Sequence, residues 1–178
     1  MRLSSHSDLA VRLFLYLDAQ EDKERRVLTP ELCQVLDTKR STVNETTSSL
    51  AKVGLLDTRS GKYGGIILSR PISDILVSEV ISICEQRSGW QFAQCDNPAG
   101  CDCYMKGHCA VQPMYQQALH EFIRIFDKFC LADLQTDVNV KVARRAAEKY
   151  ISGNCLVSGD LERYSKRRKE NRSLTDAS

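Results

Sequence analysis

The sequence predicts a mainly helical fold with one small β-wing, and three observations carry that expectation. Two short helical patterns meet at the tight turn Asp37-Thr38-Lys39. Directly after them, two β-prone runs flank a stretch with three glycines in five residues, which suits a hairpin. The second half then holds a long stripe of apolar and aromatic residues at helical spacing. Together these describe a winged helix-turn-helix followed by a long helix.

Taken in order, Leu9, Leu13 and Leu17, with Ala10 and Phe14 beside them, predict a first helix over residues 7–19. Gln20 to Arg26 carries six charges in seven residues and reads as a solvated loop. Thr29-Pro30 reads as a helix start, with Thr29 capping and Pro30 in first position. A second pattern follows, with Val43, Thr47, Leu50 and Val53 on one side and Gly54 as the C-terminal cap. Leu55-Leu56 and Ile66-Ile67-Leu68 form the hairpin, and Val77 to Glu85 a further short helix. Residues 89–107 have poor periodicity and read as a loop. Tyr115, Ala118, Phe122, Ile125, Phe126 and Phe129 form one stripe and predict a helix from Pro113 to Leu134. Its aromatic surface suits either a partner subunit or the body of its own domain. Val142 to Ile151 forms a last helix, and the segment with Lys166-Arg167-Arg168-Lys169 is expected to be disordered. The organisation expected is a DNA-binding unit over 1–75, a cysteine loop with a long helix over 76–134, and a basic extension over 135–178.

Composition sets the outer limits. At 178 residues the chain can build one medium domain, or a small one with an extension. The 42% apolar content excludes whole-chain disorder, and a net charge of +2 demands no particular partner. The charge is uneven, since residues 141–178 hold ten basic and five acidic side chains. No run of about 18 apolar residues is present, so no spanning helix and no membrane association are expected. Met1-Arg2-Leu3 leads into polar Ser4-Ser5-His6-Ser7 without the apolar core of a signal peptide. A cytoplasmic protein is expected.

Two motifs carry chemistry. Lys39, Arg40, Ser41, Thr42 and Asn44 open the second helix of the helix-turn-helix, the end that enters a major groove. Asn44 suits adenine, while Lys39 and Arg40 suit phosphates. In the wing, Arg59 and Lys62 flank glycines that let the backbone approach a phosphate or a narrow minor groove. Residues 28–70 hold six basic and four acidic residues, a modest patch, so strong binding to a double-stranded DNA operator requires two copies.

The second motif is cysteine. Four of the eight cysteines lie within fifteen residues: Cys95, Cys101, Cys103 and Cys109. In a reducing compartment such density points to metal ligation or redox chemistry. The spacing lacks the paired Cys-x2-Cys knuckles of a zinc ribbon, and separated thiolates on a glycine-containing loop suit an iron–sulfur cluster. Zinc and a thiol–disulfide switch stay open, and His108 is either a zinc ligand or a solvated loop histidine. Cys33, Cys84 and Cys130 lie in apolar patterns and read as small core residues. An enzyme is not expected: His6, His108 and His120 are scattered, and no phosphate loop, nucleophile elbow or paired carboxylates occur.

The residues also carry a family resemblance. The chain resembles the winged-helix iron–sulfur transcription regulators that include NsrR, IscR and RirA. Met1-Arg2-Leu3 with Ser7-Asp8 resembles their opening. Leu50-Ala51-Lys52-Val53-Gly54-Leu55-Leu56, then Arg59-Ser60-Gly61-Lys62-Tyr63-Gly64-Gly65-Ile66, resembles their recognition-helix exit and wing. Phe126-Asp127-Lys128-Phe129-Cys130-Leu131-Ala132-Asp133-Leu134 is similar to the end of their long dimerisation helix, and the likeness covers about residues 1–134. It implies a repressor, a homodimer with crossing long helices, and a 4Fe-4S or 2Fe-2S cluster held by three loop cysteines of each subunit.

By that resemblance Cys95 is the first ligand and Cys109 the third. Cys103 is favoured as the second, because Cys95-x7-Cys103-x5-Cys109 looks like the RirA-type spacing. Cys101 is then a spare thiol or a substitute ligand. Gln112 stands where IscR-like members have a histidine, whereas Asp8 matches the aspartate that NsrR-like members offer to the partner subunit's cluster. From the residues alone, the first reading of Asp8 is a carboxylate favoured by the positive end of its helix. Oxygen binds iron less covalently than thiolate, so a carboxylate corner is the labile one, which suits a sensor of nitric oxide, oxygen or iron status. The competing reading is a zinc- or thiol-based DNA-binding regulator without iron.

Overall fold

Leu9, Leu13, Phe14 and Leu17 recur at helical spacing, and helix α1 (Ser5–Asp18) buries all four. The computed structural model describes residues 3–61, 64–85, 103–105 and 108–153. Helix α1 starts two residues before the apolar pattern does, because the Ser4 hydroxyl caps it by accepting from the Ser7 N–H at 3.3 Å.

Helix α2 (Thr29–Val35) begins one residue earlier than the Thr29-Pro30 pattern suggests. Leu28 is the cap residue, with no side-chain hydrogen bond, and Thr29 is already helical. The cause lies just upstream. Val27 pairs with Ile66, giving and receiving backbone hydrogen bonds of 3.0 and 2.9 Å, so the chain arrives extended and turns at once. The turn after α2 is closed by the Thr38 N–H, which donates to the Cys33 carbonyl at 3.0 Å, with Asp37 in the left-handed region at φ 47°.

Helix α3 (Arg40–Lys52) buries Val43, Thr46, Thr47 and Leu50. It closes with the same motif. The Leu55 N–H donates to the Leu50 carbonyl, the Gly54 N–H to the Ala51 carbonyl, and Gly54 has φ 77°. Val53, expected on the buried face, is 52% exposed, because as the cap residue it turns outward and Leu55 takes the core position.

Strands β1 (Leu56–Arg59) and β2 (Gly65–Leu68) form the antiparallel wing, with Leu56 opposite Leu68 and Arg59 opposite Gly65. Helix α4 (Val77–Glu85) has the bounds the sequence predicts. Helix α5 (Val111–Phe126) does not, since it stops eight residues before Leu134. The Phe129 carbonyl accepts from Val77 N–H at 3.0 Å, and the Leu131 N–H donates to Ile75 at 2.9 Å. That pairing pulls residues 129–131 out of the helix and drives Leu131 into the core, after which Leu131–Leu134 makes a 3-10 turn. Helix α6 (Asp137–Ile151) contains the predicted last helix and packs on α1 and α2. One apolar cluster runs from Leu9 to Ala147. Of the cysteines expected inside, Cys84 is buried, while Cys33 and Cys130 are only half-buried.

The charged stretch Gln20–Arg26 is not wholly solvated. Glu31 on α2 is 1% exposed. It accepts from the Tyr16 hydroxyl and from Arg25 Nη2, each at 2.6 Å, and Arg25 Nη1 donates to Gln20 Oε1 at 2.9 Å. A buried carboxylate requires such donors, and these draw Gln20 and Arg25 inward. Burial, then the hydrogen bond to Glu31, pushes the Tyr16 phenol well above its ordinary value.

Two outcomes follow for stability. No heavy atom lies within 4 Å of a Cβ built on Gly54, so Gly54→Ala brings backbone strain alone, about 1 kcal/mol in urea denaturation. Folding favours the neutral Tyr16 phenol, so its contribution is complete below the unfolded pKa of about 10 and is lost as pH rises through the folded value. Tyr16→Phe therefore costs roughly 1 kcal/mol at neutral pH and flattens the fall in stability above about pH 10.

Candidate functional site

The turn at Asp37 and the cap at Gly54 hold α3 with one face outward, beside the wing. Asn44, Ser48 and Lys52 on α3, with Thr58, Arg59 and Ser60 of the wing, line an open groove of about 750 Å³. Lys39, Arg40, Ser41 and Asn44 are exposed at the amino end of α3, and Thr42 is half-buried. The first turn of α3 contains no acidic residue, which leaves its positive end available to an anion. Lys62 lies outside the described residues.

Arg26 fixes the wing, and sequence reasoning missed it. Its Nη2 donates to Asp57 Oδ2 at 2.5 Å, and its Nη1 reaches the Gly65 carbonyl at 3.4 Å. That bond to Arg26 holds the Asp57 carboxyl below the usual range. A Cβ on Gly65 would lie 2.8 Å from Arg26 Cβ, so glycine is what lets the wing approach. Arg59 shares Asp57 at 3.4 Å while its side chain stays 67% exposed toward the groove.

The cysteine segment joins α4 to α5. Cys95 and Cys101 lie outside the described residues. Cys103 is exposed and Cys109 half-buried, both as free thiols, and Cys109 stands two residues before Val111. His108 is exposed, its N–H donating to the Met105 carbonyl at 2.9 Å, and Gln112 is half-buried in the first turn of α5. Asp8 is exposed in the first turn of α1, where Arg12 Nη2 donates to its Oδ2 at 2.7 Å. Arg12 Nη1 also donates to the Leu36 carbonyl at 3.1 Å, which ties Asp8 to the turn of the helix-turn-helix. Among the described residues, no three His, Cys, Asp or Glu side chains gather as a metal site.

Three further side chains surround the start of α1. Glu85, the last residue of α4, is 6% exposed and accepts from the Ser7 hydroxyl at 2.5 Å and the Ser4 N–H at 2.8 Å. His6 Nδ1 lies 2.9 Å from Thr46 Oγ1 on α3, and its Nε2 lies 3.7 Å from Glu45. A signal for Glu85 was present in the sequence. A carboxylate ending an apolar helix opposes that helix's own dipole, so it asks for a partner elsewhere.

Helix α5 buries none of its residues in this chain. Val111, Met114 and Ile125 are exposed, and Phe122 meets Phe126 edge-to-face at 5.1 Å. No helix among the described residues is long and apolar enough to cross a membrane.

The sequence and the fold resemble those of known proteins. A family profile described as "Rrf2: Iron-dependent Transcriptional regulator" matches residues 3–137. The chain is 26% identical over 137 residues to the HTH-type transcriptional regulator NsrR of Halalkalibacterium halodurans, covering 77% of this chain and 92% of that protein. It shares its fold with T. potens IscR, at a TM-score of 0.54 and 20% identity over 75% of this chain and 85% of that one. It also shares it with CymR, the global cysteine regulator of B. subtilis, at a TM-score of 0.53 and 16% identity over 75% and 95% of the two chains. These relatives are transcriptional regulators and not enzymes. With its winged helix-turn-helix and a profile match across three-quarters of its length, the chain belongs to the Rrf2 family of DNA-binding transcription regulators.

Proposed function

We propose that the protein is a cytoplasmic, homodimeric repressor whose operator binding is set by an iron–sulfur cluster. The open groove between α3 and the wing supports the DNA reading, because it aligns base-reading and phosphate-holding side chains on one surface. In this reading Asn44 meets a base edge, Lys39, Arg40, Ser41 and Thr42 hold the register, and Arg59 with Lys62 follow the backbone beside the wing. The uncovered apolar face of α5 supports the homodimer, with a second copy of α5 as its cover.

The donor chemistry fits a cluster. Cys103 and Cys109 are free thiols, the ligand type that iron–sulfur clusters take, and Cys109 lies two residues before α5. Cys95, Cys103 and Cys109 would hold it, with Cys101 in reserve, and Asp8 would reach the partner subunit's site. Once bound, such a centre supplies iron chemistry that responds to nitric oxide, oxygen and iron supply. This chain's own part is to release Asp8 from Arg12, which also holds the Leu36 carbonyl at the helix-turn-helix. A change at Asp8 is then felt where α2 meets α3, and half-site spacing shifts with it. The exposed free thiol of Cys103 supports a second reading, a thiol-based switch without iron.

Iron and acid-labile sulfide, measured on protein purified without oxygen, separate the readings. About four of each per chain is expected for a 4Fe-4S centre, about two for a 2Fe-2S centre, and neither for the thiol switch. Cys109→Ala is expected to lose the iron while the dimer stays folded, and full iron retention would remove Cys109 from the ligands. Arg40→Ala is expected to weaken binding to all duplexes and lower the salt slope by about one. A change in base preference at one position would instead assign Arg40 to direct readout.

A further inference from the structure

Helix α1 touches both α3 and α4, and its first turn carries a side chain toward each. Adjacent residues on a helix point about 100° apart, so His6 and Ser7 face different neighbours. Ser7 faces α4, where its hydroxyl and the Ser4 N–H supply Glu85 with two donors at 2.5 and 2.8 Å. His6 faces α3, where Nδ1 stands 2.9 Å from the Thr46 hydroxyl. Thr46 is 1% exposed in the middle of the recognition helix, two residues from Asn44.

The chemistry makes the α4 side of this junction demanding. Glu85 sits at the negative end of its own helix and is almost wholly removed from water. The positive end of α1 gives it two hydrogen bonds, and a shift of α4 relative to α1 breaks both at once. The carboxylate and the α1 amino end consequently move as one body. The cysteine segment follows Glu85 directly in the chain, so Glu85 is where that segment joins this body.

We infer that Glu85, Ser7 and His6 are positioning residues that link the base of the cysteine segment to the recognition helix through the first turn of α1. The inference rests on the DNA-binding activity of the family and needs no particular metal or thiol chemistry. Glu85 and Thr46 are tied to neighbouring residues of one short turn, so displacement of one end is delivered to the other without passing through the apolar core.

A double-mutant cycle on DNA affinity tests the link. The probe is a duplex that the full-length wild-type protein selects from a random pool, and melting transitions confirm that each variant is folded. Glu85→Ala and His6→Ala are each expected to weaken binding roughly five-fold or more. The double variant is expected to bind no worse than the weaker single one, because either change alone already breaks the same link. Glu85→Gln keeps a side-chain oxygen for Ser7 and Ser4 and is expected to stay within about two-fold of wild type. Losses that multiply, single variants with unchanged affinity, or a Gln variant as weak as the Ala variant would each overturn the assignment. Should Glu85→Ala not fold, Ser7→Ala takes its place in the same cycle, with the same expectations. Wild-type protein without iron would refute the cluster proposal and leave this cycle unaffected.

Discussion

Burial of α1 is the constraint on which the other elements depend. Its apolar face receives α3 and α4, β2 packs beside it, and α6 with the 3-10 turn after α5 closes the remaining side. Leu9, Leu13 and Phe14 are almost wholly removed from water, so α1 cannot shift without repacking the neighbours that seal it. The polar contacts follow the same plan. Tyr16 binds Glu31 on α2, Arg12 binds the Leu36 carbonyl, His6 meets Thr46 on α3, and Ser7 meets Glu85 on α4. A helix held by so many neighbours is a reference frame, against which α3 and α4 have defined positions.

The elements that the sequence announces are those whose signals are local. Helix α4 is readable because Val80, Ile81 and Cys84 recur at helical spacing, and its bounds come out unchanged. The wing is readable because glycines with positive φ are needed where Gly61 and Gly65 stand. The end of α5 was not readable. Phe129 fits the aromatic stripe perfectly well as helix, and only its pairing with Val77, far away in the chain, takes it out. The same holds for Gln20 and Arg25, whose solvated appearance yields to a carboxylate on the next helix that must be satisfied.

The site divides in the same manner. Residues that offer chemistry on their own, such as Arg40, Asn44 and Cys109, can be picked out by type and spacing; Arg40 and Asn44 sit on α3 and Cys109 two residues before α5. Residues that act by holding another residue show their partners only in the fold. Arg26 is silent until Asp57 is beside it, and Glu85, whose place at the negative end of α4 asks for a partner, does not say which until Ser4 and Ser7 are found. Their partners are 31, 81 and 78 positions distant, and no periodicity spans such separations.

The Val27–Ile66 pair carries a consequence for the order in which the molecule assembles. A two-stranded hairpin of four residues per strand is marginal in water on its own, although it can form within microseconds. Val27 adds a third short piece of extended chain to β2, and it comes from the connection between α1 and α2. The wing therefore gains persistence only after that connection has been delivered by the docking of the two helices, across a loop of nearly forty residues. The wing's persistence is thereby coupled to the helical body, and the arm flanking the groove is held only as well as the helices behind it are packed.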